Sequence, residues 1–89
     1  SKSLILHNLA VLNHQNKLLD KSTLLLEKVL KSPAPIADSY YLMSIIALQQ
    51  KNMARAEYYS RELITKYPNY QKGIQLFNNI NLAKTKFKE

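Results

Sequence analysis

The sequence repeats itself in residue size and polarity with a period of 34 residues. Positions 4–31 align with positions 38–65 without a gap, and most aligned pairs match in class. The two identical pairs are Gln15 with Gln49 and Lys17 with Lys51. A period of this length is typical of repeat proteins, in which each repeat is one small unit of secondary structures packed against its neighbours. The pattern therefore predicts a divergent structural repeat.

Each repeat predicts two helices joined by a short turn, and a fifth helix follows the second repeat. In the first helix, Ile5, Leu9 and Leu12 fall at i, i+4 and i+7 on one helical face. The apolar stripe of the fifth helix is Ile74, Phe77 and Ile80. The predicted helices span about residues 2–16, 21–31, 36–50, 53–66 and 70–86.

Capping residues and prolines separate these helices. Asp20 is predicted to cap the second helix, because its carboxylate can accept hydrogen bonds from the amides of the first turn. Pro33 and Pro35 end that helix, since proline lacks the backbone donor and clashes with the preceding turn. Pro68 ends the fourth helix in the same way.

The composition favours an all-α domain. The 89 residues include one glycine and three prolines, whereas sheet proteins usually need more glycine for their turns. The hydrophobic fraction of 46% argues against disorder. Cysteine is absent, which excludes disulfides, thiolate metal sites and a cysteine nucleophile. We expect a single domain over 1–89, without an apolar stretch near the roughly 20 residues that span a bilayer.

A pattern of large and small residues runs through both repeats. With Ala37 as position 1, the second repeat places large residues at 4 and 7, small residues at 8 and 20, and proline at 32. These residues are Tyr40, Met43, Ser44, Ala56 and Pro68. With Ser3 as position 1, the first repeat places Ala10 and Ser22 at the small positions. The pattern resembles the tetratricopeptide repeat (TPR) family, although Ala47 and Leu63 depart from its usual aromatic and alanine.

The resemblance implies a specific architecture. It implies a five-helix antiparallel helix-turn-helix array, which is a fragment of a right-handed α-solenoid. Repeat 1 would cover about 3–36 and repeat 2 about 37–70. A helix over about 70–87 would either begin a third repeat or cap the array, and Asn78 and Asn81 at its packing positions favour the cap.

The resemblance also implies where a partner binds. In such arrays the first helix of each repeat lines a concave groove. The groove would be lined by His7, Val11, His14, Tyr41, Ile45, Leu48 and Gln49. We interpret it as a binding site for an extended or helical peptide. The alternative is that the fifth helix, or a second copy of the chain, covers this surface.

Other classes of function find less support in the sequence. His7 and His14 lie about 10 Å apart along a helix, too far for one zinc ion. No catalytic constellation or phosphate-binding loop is recognisable, so we expect no enzyme activity, no metal and no cofactor. The expected function is a non-catalytic protein-interaction module, such as an adaptor or scaffold. The alternative is a structural subunit that uses the same surface for homo-oligomerisation or assembly.

The net charge of +7 leaves the kind of partner open. It is compatible with a solvated surface, an acidic protein or peptide partner, a nucleic acid, or an anionic membrane. A nucleic acid is disfavoured, because most of the tyrosines occupy packing positions of the repeat. Nothing in the sequence fixes a compartment. The cytoplasm is the default expectation, and an anchor or signal outside these residues is left open.

Overall fold

The computed structural model describes residues 1–88, with side chains as far as Lys86. It contains five α-helices: α1 (Lys2–Gln15), α2 (Leu19–Lys31), α3 (Ala37–Gln49), α4 (Met53–Lys66) and α5 (Gln71–Lys88). No strand occurs among the described residues, so the all-α prediction is confirmed for them. Glu89, the last residue of the predicted domain, lies outside this range.

The chain divides into two compact units, with the boundary between Ser39 and Tyr40. The first unit contains α1, α2 and the start of α3, and α1 packs against α2. The second unit contains the rest of α3 with α4 and α5, and α4 packs against α5.

The core of the first unit is small and rich in hydroxyl groups. Its buried residues on the two long helices are Ser3, His7, Ala10, Ser22, Leu26 and Val29. The Ser22 hydroxyl donates a hydrogen bond of 2.8 Å to the Ala10 carbonyl of the facing helix. Because this bond joins a short side chain to the neighbouring backbone, α1 and α2 must lie in close contact here.

The core of the second unit is a cluster from three helices. The cluster contains Ala47, Ala56, Leu76 and Ile80, and Leu63 of α4 is also fully buried in this unit. The Ser44 hydroxyl donates a hydrogen bond of 2.7 Å to the Ala56 carbonyl. In α5 the buried positions are Gly73, Leu76 and Ile80, whereas Ile74 and Phe77 of the predicted stripe are only partly buried. Gly73 is buried because α4 and α5 touch at this position. A Cβ at Gly73 would lie only 2.8 Å from the Leu63 side chain.

The turns that end α1 and α3 have the same geometry. Lys17 and Lys51, which are 34 residues apart, both adopt a left-handed backbone, with φ of 63° and 60°. The Leu18 N–H donates to the Asn13 carbonyl at 2.8 Å, and the Asn52 N–H donates to the Ala47 carbonyl at 2.8 Å. In addition, the Lys17 N–H donates to the His14 carbonyl, and the Lys51 N–H donates to the Leu48 carbonyl. These bonds complete a Schellman motif at each helix end.

The starts of α2 and α4 differ, and the predicted cap at Asp20 is wrong. The Asn52 side chain caps α4 by accepting from the Arg55 amide at 3.0 Å. In α2 the corresponding residue is Leu18, which has no capping side chain, and Asp20 lies inside the first turn. The turn before α2 fixes where that helix begins. The Asp20 carboxylate therefore lies near the positive N-terminal end of the helix dipole, where a negative charge is stabilising.

Candidate interaction surfaces

His7, the first predicted groove residue, is buried within the first unit. Its Nδ1 lies 2.7 Å from the Ser39 hydroxyl. Burial lowers the pKa of His7 below its ordinary value of 6.5, and the nearby Asp38 carboxylate acts in the opposite direction. A buried imidazole with a hydroxyl partner fastens the start of α3 to α1, and its side chain is largely withdrawn from solvent.

Val11, His14 and Gln49 lie nearer the surface. Val11 and His14 are partly buried on α1, and Gln49 is exposed in the last turn of α3. His14 lies in the last turn of α1, where a basic side chain is favoured by the helix dipole.

Tyr41, Ile45 and Leu48 are brought together in the second unit. All three are partly buried and pack against its core cluster, to which α5 contributes Leu76 and Ile80. The Tyr41 ring contacts the Tyr70 ring with centroids 6.3 Å apart, and the Lys72 amine lies 4.8 Å from the Tyr41 centroid. The core cluster and the start of α5 therefore cover part of the surface of these α3 residues, so polar substitutions there would also disturb the core.

The α1 stripe, which we define as Ile5, Leu9 and Leu12, is exposed to solvent. Their exposed fractions are 61%, 44% and 54%. At 3.6 residues per turn, they lie on the opposite side of α1 from the buried Ser3, His7 and Ala10. An i, i+4, i+7 stripe commonly marks the core-facing side of a helix, but in α1 the stripe faces solvent. The core-facing side is occupied by small and polar residues, because α1 approaches α2 closely.

The counterparts of the α1 stripe in the second repeat are buried. Under the 34-residue alignment, Ser39, Met43 and Ile46 stand where the stripe residues stand in α1. Their exposed fractions are 0–2%. The same helix position is therefore covered in one repeat and bare in the other. Sequence reasoning missed this surface, although apolar residues on several sides of α1 were a signal that one side would stay exposed.

Several cations of the second unit contact other side chains of the same unit. Arg55 lies over the Tyr59 ring at 5.4 Å, and Arg61 lies over the Phe77 ring at 5.1 Å. The Lys84 amine donates to the Glu57 carboxylate at 2.6 Å. This bond lowers the pKa of Glu57, which Arg61 lowers further. Part of the positive charge is therefore used to hold α5 against α4.

A depression of about 510 Å³ lies in the first unit, between the start of α1 and the Pro33 region. Its walls include Leu6, Lys28 and the Ser3 and Ser32 hydroxyls, which hydrogen-bond each other at 3.0 Å. Among the described residues, no buried side-chain nitrogen or oxygen lacks a partner. The buried side-chain polar atoms around the depression are therefore already paired within the protein.

Metal clusters and membrane-spanning helices are both absent among the described residues. Within that part of the chain, no group of three His, Asp or Glu side chains is placed to hold a metal ion. None of the helices described is both long enough and apolar enough to cross a membrane.

The sequence matches no protein-family model, and neither a curated protein nor a solved structure is significantly similar to it.

Proposed function

We propose that the chain is a non-catalytic protein-interaction module, built of two TPR-like repeats and a capping helix. Two features support the repeat. The turns after α1 and α3 share one hydrogen-bond pattern, 34 residues apart. The small pairs Ala10 with Ser22 and Ser44 with Ala56 each carry a hydroxyl-to-carbonyl bond between helices.

The polar outer face of α5 supports the capping role. Gln71, Gln75 and Asn78 are exposed on this helix, and the Asn81 amide donates back to the Phe77 carbonyl of its own helix at 3.1 Å. This face is mostly amides and is well solvated, which suits a capping helix, and it also carries Leu82, whose side chain is 64% exposed.

The observation that carries the interaction function is the exposed α1 stripe. A row of three large apolar side chains on one helix face is costly in water, and such exposed patches mark interaction sites. We propose that a helix of a partner protein covers the stripe, as the counterpart positions in the second repeat are covered. The concave groove stays a prediction of the repeat alignment, and it ranks second because His7 is buried and Ile45 packs on a core cluster.

The stripe is tested by affinity capture from lysate with three baits. These are the wild-type chain, the double variant Ile5→Gln with Leu12→Gln, and the control Leu24→Gln. Leu24 is 62% exposed on α2, so its substitution removes a comparable apolar side chain elsewhere in the first unit. Glutamine is a good helix former, so all three baits should fold, which circular dichroism will check.

We expect one or more proteins to be retained by the wild type and the control and lost from the double variant. If the folded double variant retains the same proteins as the wild type, the α1 stripe is not the binding surface. The capture would then be repeated with Gln49→Ala, because Gln49 is an exposed residue of the predicted groove.

A further inference from the structure

We propose that the occupant of the α1 stripe is an amphipathic helix whose apolar face is flanked by acidic residues near both ends. This inference rests on the interaction function proposed above and adds the chemistry of the partner.

The charged side chains of α1 and of the turn that follows it are all positive. α1 contains no aspartate or glutamate. Lys2 is exposed and lies seven residues before Leu9, so the two share a face of α1. Lys17 is exposed just beyond the C-terminal end of the helix. The chain as a whole carries +7, so the field that an approaching partner meets attracts acidic surfaces.

The same lysines disfavour a second copy as the occupant. If two α1 helices paired antiparallel, Lys2 of one copy would meet Lys17 of the other. If they paired parallel, each lysine would meet its own equivalent. Both arrangements place like charges at the ends of the apolar contact, which opposes association. A partner helix with carboxylates about 20 Å apart could instead pair with both lysines.

The spacing of the stripe indicates that the occupant is a helix. Residues at i, i+4 and i+7 form a ridge of about two turns, and the side chains of another helix fit beside such a ridge. The counterparts Met43 and Ile46 show how completely large side chains at these positions can be buried, since each is 2% exposed.

The experiment uses three synthetic helical peptides with one leucine stripe and different flanks. The flanking residues are glutamate, lysine or glutamine, and each peptide carries a fluorescent label. Binding to the full 89-residue chain is measured by fluorescence anisotropy at low and at raised salt. The protein variants are Leu9→Gln for the stripe, Lys2→Gln and Lys17→Gly for the charges, and Leu24→Gln as the control.

We expect the glutamate peptide to bind roughly tenfold more tightly than the lysine peptide at low salt, because two attractive contacts replace two repulsive ones. Raised salt should reduce this ratio. Lys2→Gln and Lys17→Gly should each weaken binding of the glutamate peptide and leave the affinity for the glutamine peptide unchanged. Leu9→Gln should weaken all three peptides, and Leu24→Gln should weaken none. If Leu9→Gln does not fold, Ile5→Gln replaces it, because Ile5 is the most exposed residue of the stripe.

Equal affinity for all three peptides would refute the inference that the partner is acidic. It would still be consistent with binding of a helix to the stripe. If no peptide binds and the wild type sediments as a dimer that Leu9→Gln dissociates, the occupant is a second copy and the inference is overturned. If no peptide binds and the chain is monomeric, the inference is also overturned. The affinity capture then decides separately whether the interaction function survives.

Discussion

Replacing the two left-handed lysines with glycine should stabilise the protein. Lys17 and Lys51 are exposed and adopt φ near 60° at matching turns. This conformation costs a non-glycine residue about 1–2 kcal/mol, and glycine avoids that cost. Glycine also loses more backbone freedom on folding, and this loss destabilises the folded state by about 0.5–1 kcal/mol. Lys17→Gly and Lys51→Gly should therefore each raise the free energy of unfolding by about 0.5–1 kcal/mol.

The assay is urea denaturation followed by circular dichroism, with thermal unfolding as a second measurement. In a domain of this size, each kcal/mol corresponds to a rise in Tm of about 4–8 °C. The matched controls are Lys17→Ala and Lys51→Ala, which remove the same charge but keep a Cβ. The controls should give little or no gain. If alanine stabilises as much as glycine, the gain comes from reduced charge repulsion and the conformational reasoning is refuted.

Three further predictions follow from the hydrogen bonds and ion pairs. Ser22→Ala and Ser44→Ala should each lower the free energy of unfolding by about 1 kcal/mol, because each removes a buried bond between helices. Ser60→Ala should cost less, since that hydroxyl bonds within its own helix. Because burial lowers the pKa of His7, the unfolded chain binds the proton more tightly. The free energy of unfolding should therefore fall as the pH drops below about 6.5 and level off below the folded-state pKa. The His7→Gln variant should not show this dependence on pH. Glu57→Gln removes the carboxylate charge and so weakens the contact with Lys84, so amide hydrogen exchange in α5 should accelerate relative to α2.

The helices were largely predictable from sequence, because apolar periodicity and helix breakers act locally. All five helices were predicted, and α4 was predicted with its observed ends, Met53 and Lys66. The matched turns followed from the 34-residue repeat, although the left-handed backbone at Lys17 did not. That conformation depends on hydrogen bonds across the whole helix end, which residue propensity does not contain.

The candidate site was less predictable, because burial depends on which helix faces which. The Ile5, Leu9 and Leu12 stripe has the spacing of a core face, but Ala10 and Ser22 form the close contact between α1 and α2. Periodicity identifies that an apolar face exists and does not say what covers it. His7 was predicted to line a groove, and its bond to Ser39 could not be foreseen without the position of α3.

The most direct test of the α1 stripe is a spin-label titration. The chain has no cysteine, so a single introduced cysteine can be labelled at one position. A label at Asn8→Cys lies on the exposed side of α1 beside the stripe, and a label at Leu24→Cys lies on α2 as the reference. If the stripe docks a helix, the glutamate-flanked peptide should immobilise the Asn8 label and leave the Leu24 label unchanged. Equal immobilisation of both labels, or none at Asn8 at saturating peptide, would contradict docking on α1.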